Sequence, residues 1–188
     1  YSTVLIGDQC WFSENCRYLP EVSPSSEGSD TDPYYYVYGF LGGPGGGYSV
    51  AAAKSHDNYE TYGVLYNWPA VMTDSICPSG WHIPSDGEFT ELTDFLGGEG
   101  VAGDAMKSAS GWNGGGNGSN SSGWSGLPGG YCYGGFGSDG DYGSWWSASE
   151  SGSDSWKRNL NYDDDDVYRG NNNRLIGYSA RCVLDESV

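Results

Sequence analysis

The stretch Cys77-Pro78-Ser79-Gly80-Trp81-His82-Ile83-Pro84-Ser85-Asp86-Gly87-Glu88-Phe89 decides the fold, because it predicts where a helix begins. Ser85 and Glu88 have the spacing of a capping box, in which the serine oxygen accepts one free backbone N–H and the glutamate accepts another. Pro84 disfavours helical backbone at the residue before it. The helix is therefore predicted to start at Ser85, and Cys77 enters it from a turn.

Apolar residues continue this helix at helical spacing. Phe89, Leu92 and Leu96 form one apolar stripe, with Phe95 beside them, so that one side of the helix faces the interior. Gly97 and Gly98 are predicted to end it, because glycine adopts the left-handed conformation after a helix at little cost.

The same stretch resembles the signature of the Fibrobacter succinogenes major paralogous domain (FISUMP) family. Further segments match that family in order along the chain: Ile6-Gly7-Asp8-Gln9-Cys10-Trp11-Phe12-Ser13-Glu14-Asn15, Tyr62-Gly63-Val64-Leu65-Tyr66-Asn67-Trp68, Leu127-Pro128-Gly129-Gly130-Tyr131, Trp145-Trp146-Ser147-Ala148-Ser149-Glu150 and Ile176-Gly177-Tyr178-Ser179-Ala180-Arg181-Cys182. The resemblance implies a C-type-lectin-like fold in a secreted or surface protein. It implies little about activity, because one fold can carry many functions.

We expect a single α+β domain over residues 1–188, with two helices packed on short twisted antiparallel sheets joined by long glycine-rich loops. The first helix is expected within residues 50–72, where Pro69 should end or kink it. The predicted strands are residues 1–6, 9–12, 34–40, 106–108, 143–149, 156–162, 167–169 and 175–184. The resemblance implies that the two terminal strands lie side by side.

Composition limits the function. The chain has 188 residues, 32 glycines, 16 tyrosines and only 8 Lys and Arg against 25 Asp and Glu, which gives a net charge of −17. Nucleic acids and anionic membranes need basic patches, so both are excluded as partners. No stretch is long and apolar enough to insert into a bilayer. The expected partners are therefore the protein itself or surface glycans.

Five cysteines point to an oxidising compartment and so to an extracellular or cell-surface location. Cys77 and Cys182 lie inside the two best-matching family segments, and the resemblance implies that they form a disulfide. Cys10 and Cys16 are a second predicted pair, which rests on their closeness in sequence. The odd number leaves at least one thiol unpaired or bonded to another chain.

The run Asp163, Asp164, Asp165 and Asp166 is predicted to form the tip of a hairpin. Its carboxylates offer the hard oxygen ligands that calcium prefers, so calcium is the one cofactor considered. The alternative is a solvated acidic tip, because consecutive strand residues point to opposite faces. The sugar-specifying triplets of calcium-dependent lectins, such as Glu-Pro-Asn, do not occur in the sequence.

Four other residues are candidates for a specific role. Asn117 and Asn120 stand in N-x-[ST] patterns and could carry glycans, or could simply form flexible turns. His82 is expected to be half-buried and to make a structural hydrogen bond rather than to act in catalysis. Glu150 could pair with a second carboxylate for glycoside hydrolysis, but no partner is evident.

The sequence favours a protein that is not an enzyme. Formylglycine-generating enzymes, which the fold also resembles, use a close pair of cysteines near the C-terminus, and here only Cys182 lies there. One hypothesis is a structural or adhesive surface protein that could be the subunit of a filament. In such a filament the apolar segment with Tyr1, Val4 and Ile6 pairs with a neighbouring molecule. The other is a carbohydrate-binding module.

Overall fold

The computed structural model describes residues 1–185 and has an α+β architecture. One antiparallel sheet of four strands combines both ends of the chain. Its strands are β1 (Thr3–Ile6), β2 (Gln9–Phe12), β5 (Trp81–His82) and β11 (Val183–Leu184), in the order β1-β2-β11-β5. The predicted neighbours β1 and β11 therefore lie in one sheet, but β2 separates them.

A second antiparallel sheet contains the three longest strands: β8 (Tyr142–Ser151), β9 (Asp154–Asn161) and β10 (Val167–Asn173). Their order is β10-β9-β8, so the strand predicted at 143–149 is at an edge of the sheet. Residues 162–166 join β9 to β10, which confirms the predicted hairpin. Two short strand pairs complete the sheets, β3 (Tyr35–Tyr36) with β4 (Leu65–Tyr66) and β6 (Gly129–Cys132) with β7 (Phe136–Asp139).

The predicted capped helix is α4 (Asp86–Phe95). The Ser85 Oγ accepts a hydrogen bond from the Glu88 amide at 3.2 Å, and the Ser85 amide donates to Glu88 Oε2 at 2.7 Å. Gly97 and Gly98 follow the helix with φ of 106° and 103°. The capping box and the glycine stop are both confirmed, because their geometry depends only on residues close in sequence.

The single helix expected within residues 50–72 is wrong. This region forms α1 (Val50–Lys54), α2 (Asp57–Tyr62), strand β4 and α3 (Trp68–Val71). Gly63, with φ of 75°, turns the chain into β4, which hydrogen-bonds β3 instead of continuing the helix. Pro69 lies in the first turn of α3, where its missing N–H is not needed.

The strand expected at residues 106–108 is also wrong. Met106 ends α5 (Ala102–Met106), and the only extended pairing here is an isolated bridge between Lys107 and Gly126. A short 3₁₀ turn, Asn113–Gly115, follows. No helix of residues 1–185 combines the length and apolar character that a membrane-crossing segment needs.

Two adjacent tryptophans of β8 join two apolar cores. Trp145 packs in the core under α4 with Trp11, Phe89 and Trp124, whereas Trp146 packs in the other core with Tyr66 and Tyr178. Both tryptophans are 0 % exposed. Successive strand side chains point to opposite faces, so this dipeptide buries both sides of the second sheet.

Candidate functional site

The face of the second sheet to which Trp146 belongs is buried around Trp146 but accessible to solvent at one end. The residues there, which we call the polar face, are Tyr142, Lys157, Asn159, Asn161, Tyr168 and Asn172. The strand register places them together, since Tyr142 pairs with Asn161 and Tyr168 with Asn159. Tyr142 and Tyr168 are 39 % and 40 % exposed, so both tyrosines are accessible to a ligand.

A directed chain of hydrogen bonds runs along the polar face. Lys157 Nζ donates to Asn159 Oδ1 at 2.7 Å, and Asn159 Nδ2 donates to Asn161 Oδ1 at 2.9 Å. Asn161 Nδ2 then donates to Asp164 Oδ2 at 3.4 Å, and this oxygen also accepts from the Tyr168 hydroxyl at 2.7 Å. The chain holds amide and phenol groups in fixed orientations on one surface.

Lys157 lies at the inner end of the polar face, next to the buried Tyr178. Its ammonium lies 5.7 Å from the centre of the buried Tyr178 ring, and Tyr178 accepts from Asn172 Nδ2 through its hydroxyl. Burial lowers the pKa of Lys157 to about 8. Within residues 1–185, no carboxylate forms an ion pair with this amine.

The opposite side of the same sheet is fixed to α4 by ion pairs. Arg158, 1 % exposed, donates to Asp86 Oδ1 at 2.6 Å, and Arg169 donates to Asp86 Oδ2 at 2.7 Å. Arg169 also stacks on Trp156, with its guanidinium 3.8 Å from the ring centre. These contacts fix β9 and β10 to α4 on the face opposite the polar face, so the polar face lies on a rigid sheet.

Three of the four candidate calcium ligands, Asp163, Asp164 and Asp165, line an acidic cleft next to the polar face. The cleft has a volume of about 490 Å³ between the hairpin tip and the glycine-rich segment 114–117. Lys107, 2 % exposed, extends into this region and donates to the Asp164 carbonyl at 2.6 Å and pairs with Asp165 Oδ1 at 3.2 Å. A lysine ammonium therefore lies among the oxygens that a cation would need.

The structure does not support the calcium prediction. Among the described residues, no three His, Cys, Asp or Glu side chains converge to hold a metal ion, and Asp163, Asp164, Asp165 and Asp166 do not form such a set. Asp164 instead accepts hydrogen bonds from Tyr168 and from the Asp166 amide. The four residues lie in the turn that joins β9 to β10, and calcium binding at this tip stays a prediction.

The two glycosylation candidates differ in their surroundings. Asn117 is exposed at the rim of the acidic cleft, and its Oδ1 accepts from the Trp112 amide at 3.0 Å. Asn120 is half-buried with φ of 52°, and its Nδ2 donates to Ser125 Oγ at 2.9 Å. Glycosylation remains a prediction, and the structure favours Asn117 because its side-chain nitrogen is the more accessible one.

The disulfide between Cys77 and Cys182 is present, as predicted. It links the segment that precedes α4 to the residue that precedes β11. The predicted pair of Cys10 and Cys16 is wrong, since both are free thiols together with Cys132. Cys10 lies half-buried on β2, whereas Cys16 is 0 % exposed in the core. Closeness in sequence failed as a guide because the intervening chain directs the two side chains to different places.

His82 has the structural hydrogen bonds expected of it. Its Nδ1 lies 2.6 Å from Asp185 Oδ1, and its Nε2 lies 2.7 Å from Glu88 Oε1. Burial alone would lower the pKa of His82, but the hydrogen bonds to the two carboxylates outweigh it and raise the pKa. Glu150 is exposed and 3.6 Å from Arg174, a cation rather than a second carboxylate.

The segment predicted to mediate assembly pairs within its own domain. Val4 lies opposite Trp11 and Ile6 opposite Gln9, in the hairpin of β1 and β2. Tyr1 stacks on Phe12 with ring centres 4.5 Å apart. The side of β1 away from β2 has no strand partner among residues 1–185, so β1 is an edge strand.

A family model described as the Fibrobacter succinogenes major domain matches residues 4–184. The chain belongs to this family. Neither the curated proteins nor the solved structures gave a match. The resemblance inferred from the sequence motifs is thereby confirmed at the level of the family.

The quoted motifs of this Fibrobacter succinogenes major domain build the framework and not the polar face. The motif at residues 77–89 forms β5 and the start of α4, and the motif at 176–182 supplies Cys182. The polar face lies mostly between the motifs at 145–150 and 176–182, on β9 and β10. Sequence reasoning missed it, although the alternation Lys157-x-Asn159-x-Asn161 in a strand was a usable signal.

Proposed function

We propose that this chain is a non-catalytic, extracellular surface domain with a C-type-lectin-like fold that adheres to glycans through the polar face. The observation that carries the proposal is the row of oriented amides flanked by two exposed tyrosines on an open sheet. Asparagine amides both donate to and accept from sugar hydroxyls. Tyrosine rings give a sugar ring a large contact area at low entropic cost.

The charge of the protein indicates which glycans to expect. A net charge of −17 and the acidic cleft beside Asp164 repel polyanions, so we expect neutral polysaccharides rather than uronic acid polymers. Calcium is not part of this proposed mode of binding, because Lys107 lies among the oxygens of the cleft. The family assignment is compatible with this role and specifies no activity.

A glycan array that includes neutral and acidic glycans, read with and without EDTA, tests the proposal. We expect binding to neutral glycans that EDTA does not change. Asn159→Ala and Tyr168→Ala should each weaken binding by about tenfold, since each loses contacts worth about 1.4 kcal/mol. The matched controls are Asn171→Ala, on the other side of β10, and Tyr133→Ala, which is 60 % exposed elsewhere.

Two results would count against glycan binding by this face. One is an array without any bound glycan. The other is binding that the control variants weaken as much as the polar-face variants do. Either outcome would favour the second candidate function.

The second candidate is self-assembly into a filament through the free side of β1. The observation that favours it is that β1 is an edge strand bearing Leu5, which is 69 % exposed. Strand addition at such an edge uses main-chain hydrogen bonds, and a charged residue on the edge prevents it. A head-to-tail contact of this kind yields an open filament when its rotation does not close into a ring.

Electron microscopy and sedimentation velocity separate this candidate from a monomeric module. If strand addition occurs, Leu5→Lys should abolish filaments. Leu41→Lys is the matched control, because Leu41 is 70 % exposed and lies outside the sheets. A wild-type protein that sediments as a monomer at every concentration excludes self-assembly.

A further inference from the structure

Three cysteine residues lie close together where the segment that precedes α4 meets the start of β11. The free Sγ of Cys16 lies 3.5 Å from Sγ of Cys182, which is bonded to Cys77. Cys16 and Cys182 are both 0 % exposed. Cys77 is half-buried and lines a crevice of about 360 Å³ together with Trp81 and Met72. A buried thiol therefore touches the inner end of a disulfide whose outer residue borders solvent.

We propose that these cysteines form a thiol–disulfide exchange site, in which Cys16 displaces Cys77 and makes the Cys77 thiol available at the crevice. The thiolate of Cys16 attacks Sγ of Cys182. The bond between Cys16 and Cys182 forms as the bond between Cys182 and Cys77 breaks, and Cys77 leaves as a thiolate. Cys16 gives up one proton and Cys77 takes one up, so the step needs no oxidant or reductant.

The charges around Cys16 set the rate of this step. Burial raises the pKa of Cys16 to about 12, while the nearby cations Arg181 and Arg17 act in the opposite direction and Glu14 opposes them. Tyr66 and Tyr1 also lie near this group, and a negative charge on Cys16 raises the pKa of both phenols. Exchange should therefore be slow near neutral pH and faster as the pH rises, because only the thiolate attacks.

Arg181 is the cation best placed to stabilise the attacking thiolate. It precedes Cys182 in the chain and is 0 % exposed. Its Nε donates to Asn15 Oδ1 at 3.0 Å, and one terminal nitrogen donates to the Ser125 carbonyl at 2.9 Å. Within the part of the chain that the structure describes, it has no carboxylate ion-pair partner. A buried, uncompensated guanidinium favours an anion beside it.

Chain entropy does not strongly favour either disulfide. The existing bond spans 105 residues and the alternative would span 166, and the entropic stabilisation grows only with the logarithm of this length. The released residue would be Cys77, which is followed by the exposed residues 78–80. It would then react with alkylating reagents, or with a disulfide of another molecule to give a mixed disulfide and one new thiol.

Alkylation of the native protein tests the proposal. The wild-type protein is incubated with iodoacetamide at pH 7 and pH 9, and its peptides are mapped without reduction. We expect alkylated Cys77 together with a peptide in which Cys16 is bonded to Cys182. The initial rate should be about a hundredfold higher at pH 9, because the thiolate fraction rises tenfold per pH unit below the pKa of about 12.

The control is Cys16→Ala, in which Cys77 should stay bonded to Cys182 and unlabelled. The proposal fails if Cys77 is not alkylated in the wild-type protein at pH 9. It also fails if Cys77 is alkylated equally fast in Cys16→Ala, because the attacking group would then not be Cys16.

A second variant tests the geometry separately. Cys77→Ser, oxidised in a buffer of reduced and oxidised glutathione, should form the disulfide between Cys16 and Cys182, because their sulfurs are already in contact. Finding Cys182 as a free thiol, or bonded to Cys10 or Cys132, would overturn the proposal. If this variant does not fold, the alkylation of the wild-type protein decides the question by itself.

Discussion

The carboxylate of Asp86, at the start of α4, lies 2.6 Å from the buried guanidinium of Arg158 on β9. This contact joins the most strongly predicted helix to the sheet that carries the polar face. Arg158 Nη2 also donates to Thr90 Oγ1 at 2.9 Å, one turn further along α4. The first turn of α4, which follows the capping box, therefore also anchors the second sheet.

Asp86→Asn should destabilise the protein by about 3 kcal/mol, because it leaves the buried Arg158 guanidinium with only the more distant carboxylate of Glu99, 3.9 Å away. Chemical denaturation at pH 7 measures the loss. Asp94→Asn is the control, since Asp94 is exposed on the same helix. A loss equal to that of the control would show that the ion pair contributes nothing.

The same carboxylate predicts acid sensitivity. Burial alone would raise the pKa of Asp86, but the hydrogen bonds from Arg169 and Arg158 outweigh it and lower the pKa. A lowered folded-state pKa gives stability that is present above the unfolded value of about 4 and is lost as the pH falls through the folded value. The difference in unfolding free energy between wild type and Asp86→Asn should therefore shrink below pH 4.

His82 should show the opposite pH dependence. Its pKa is raised, so the stability that it contributes is complete below about pH 6.5 and is lost as the pH rises through the folded value. The advantage of wild type over His82→Gln in denaturation experiments should be constant below about pH 6.5 and should fall as the pH rises above it. NMR titration should give His82 a higher pKa than the unfolded value, and an unshifted titration would contradict the contacts with Asp185 and Glu88.

Lys157 should make the protein more stable in alkaline solution. Burial lowers its pKa to about 8, so the unfolded chain binds more protons between pH 8 and about 10.4 and stability rises over this window. Relative to Lys157→Met, the wild-type protein should gain on the order of 2 kcal/mol from pH 7 to 10. Lys54→Met is the control at an exposed lysine, and equal behaviour of both variants would refute a buried amine.

Calcium should not stabilise this protein. Lys107 lies among the oxygens of the acidic cleft, so millimolar calcium or EDTA should change the Tm by less than about 1 °C. Differential scanning calorimetry checks this. A rise of several degrees on adding calcium, reversed by EDTA, would show that a cation can displace the lysine.

Several features followed from the sequence by itself. The start and end of α4, the hairpin of β1 and β2, and the turn at 163–166 were all predicted from residues close together in the chain. Such features depend on capping, turn chemistry and strand alternation, which act over a few residues. The family and the bond between Cys77 and Cys182 followed from motifs, because their order along the chain is itself a specific signal.

The tertiary structure decided the rest. It divided residues 50–72 into three short helices, since the pairing of β4 with β3 outweighed an apolar spacing that suits a helix. It placed Lys107 against Asp164 and Cys16 against Cys182, residues 57 and 166 positions apart. Contacts over such distances depend on how the loops close and the two cores pack, and no short stretch of sequence encodes them.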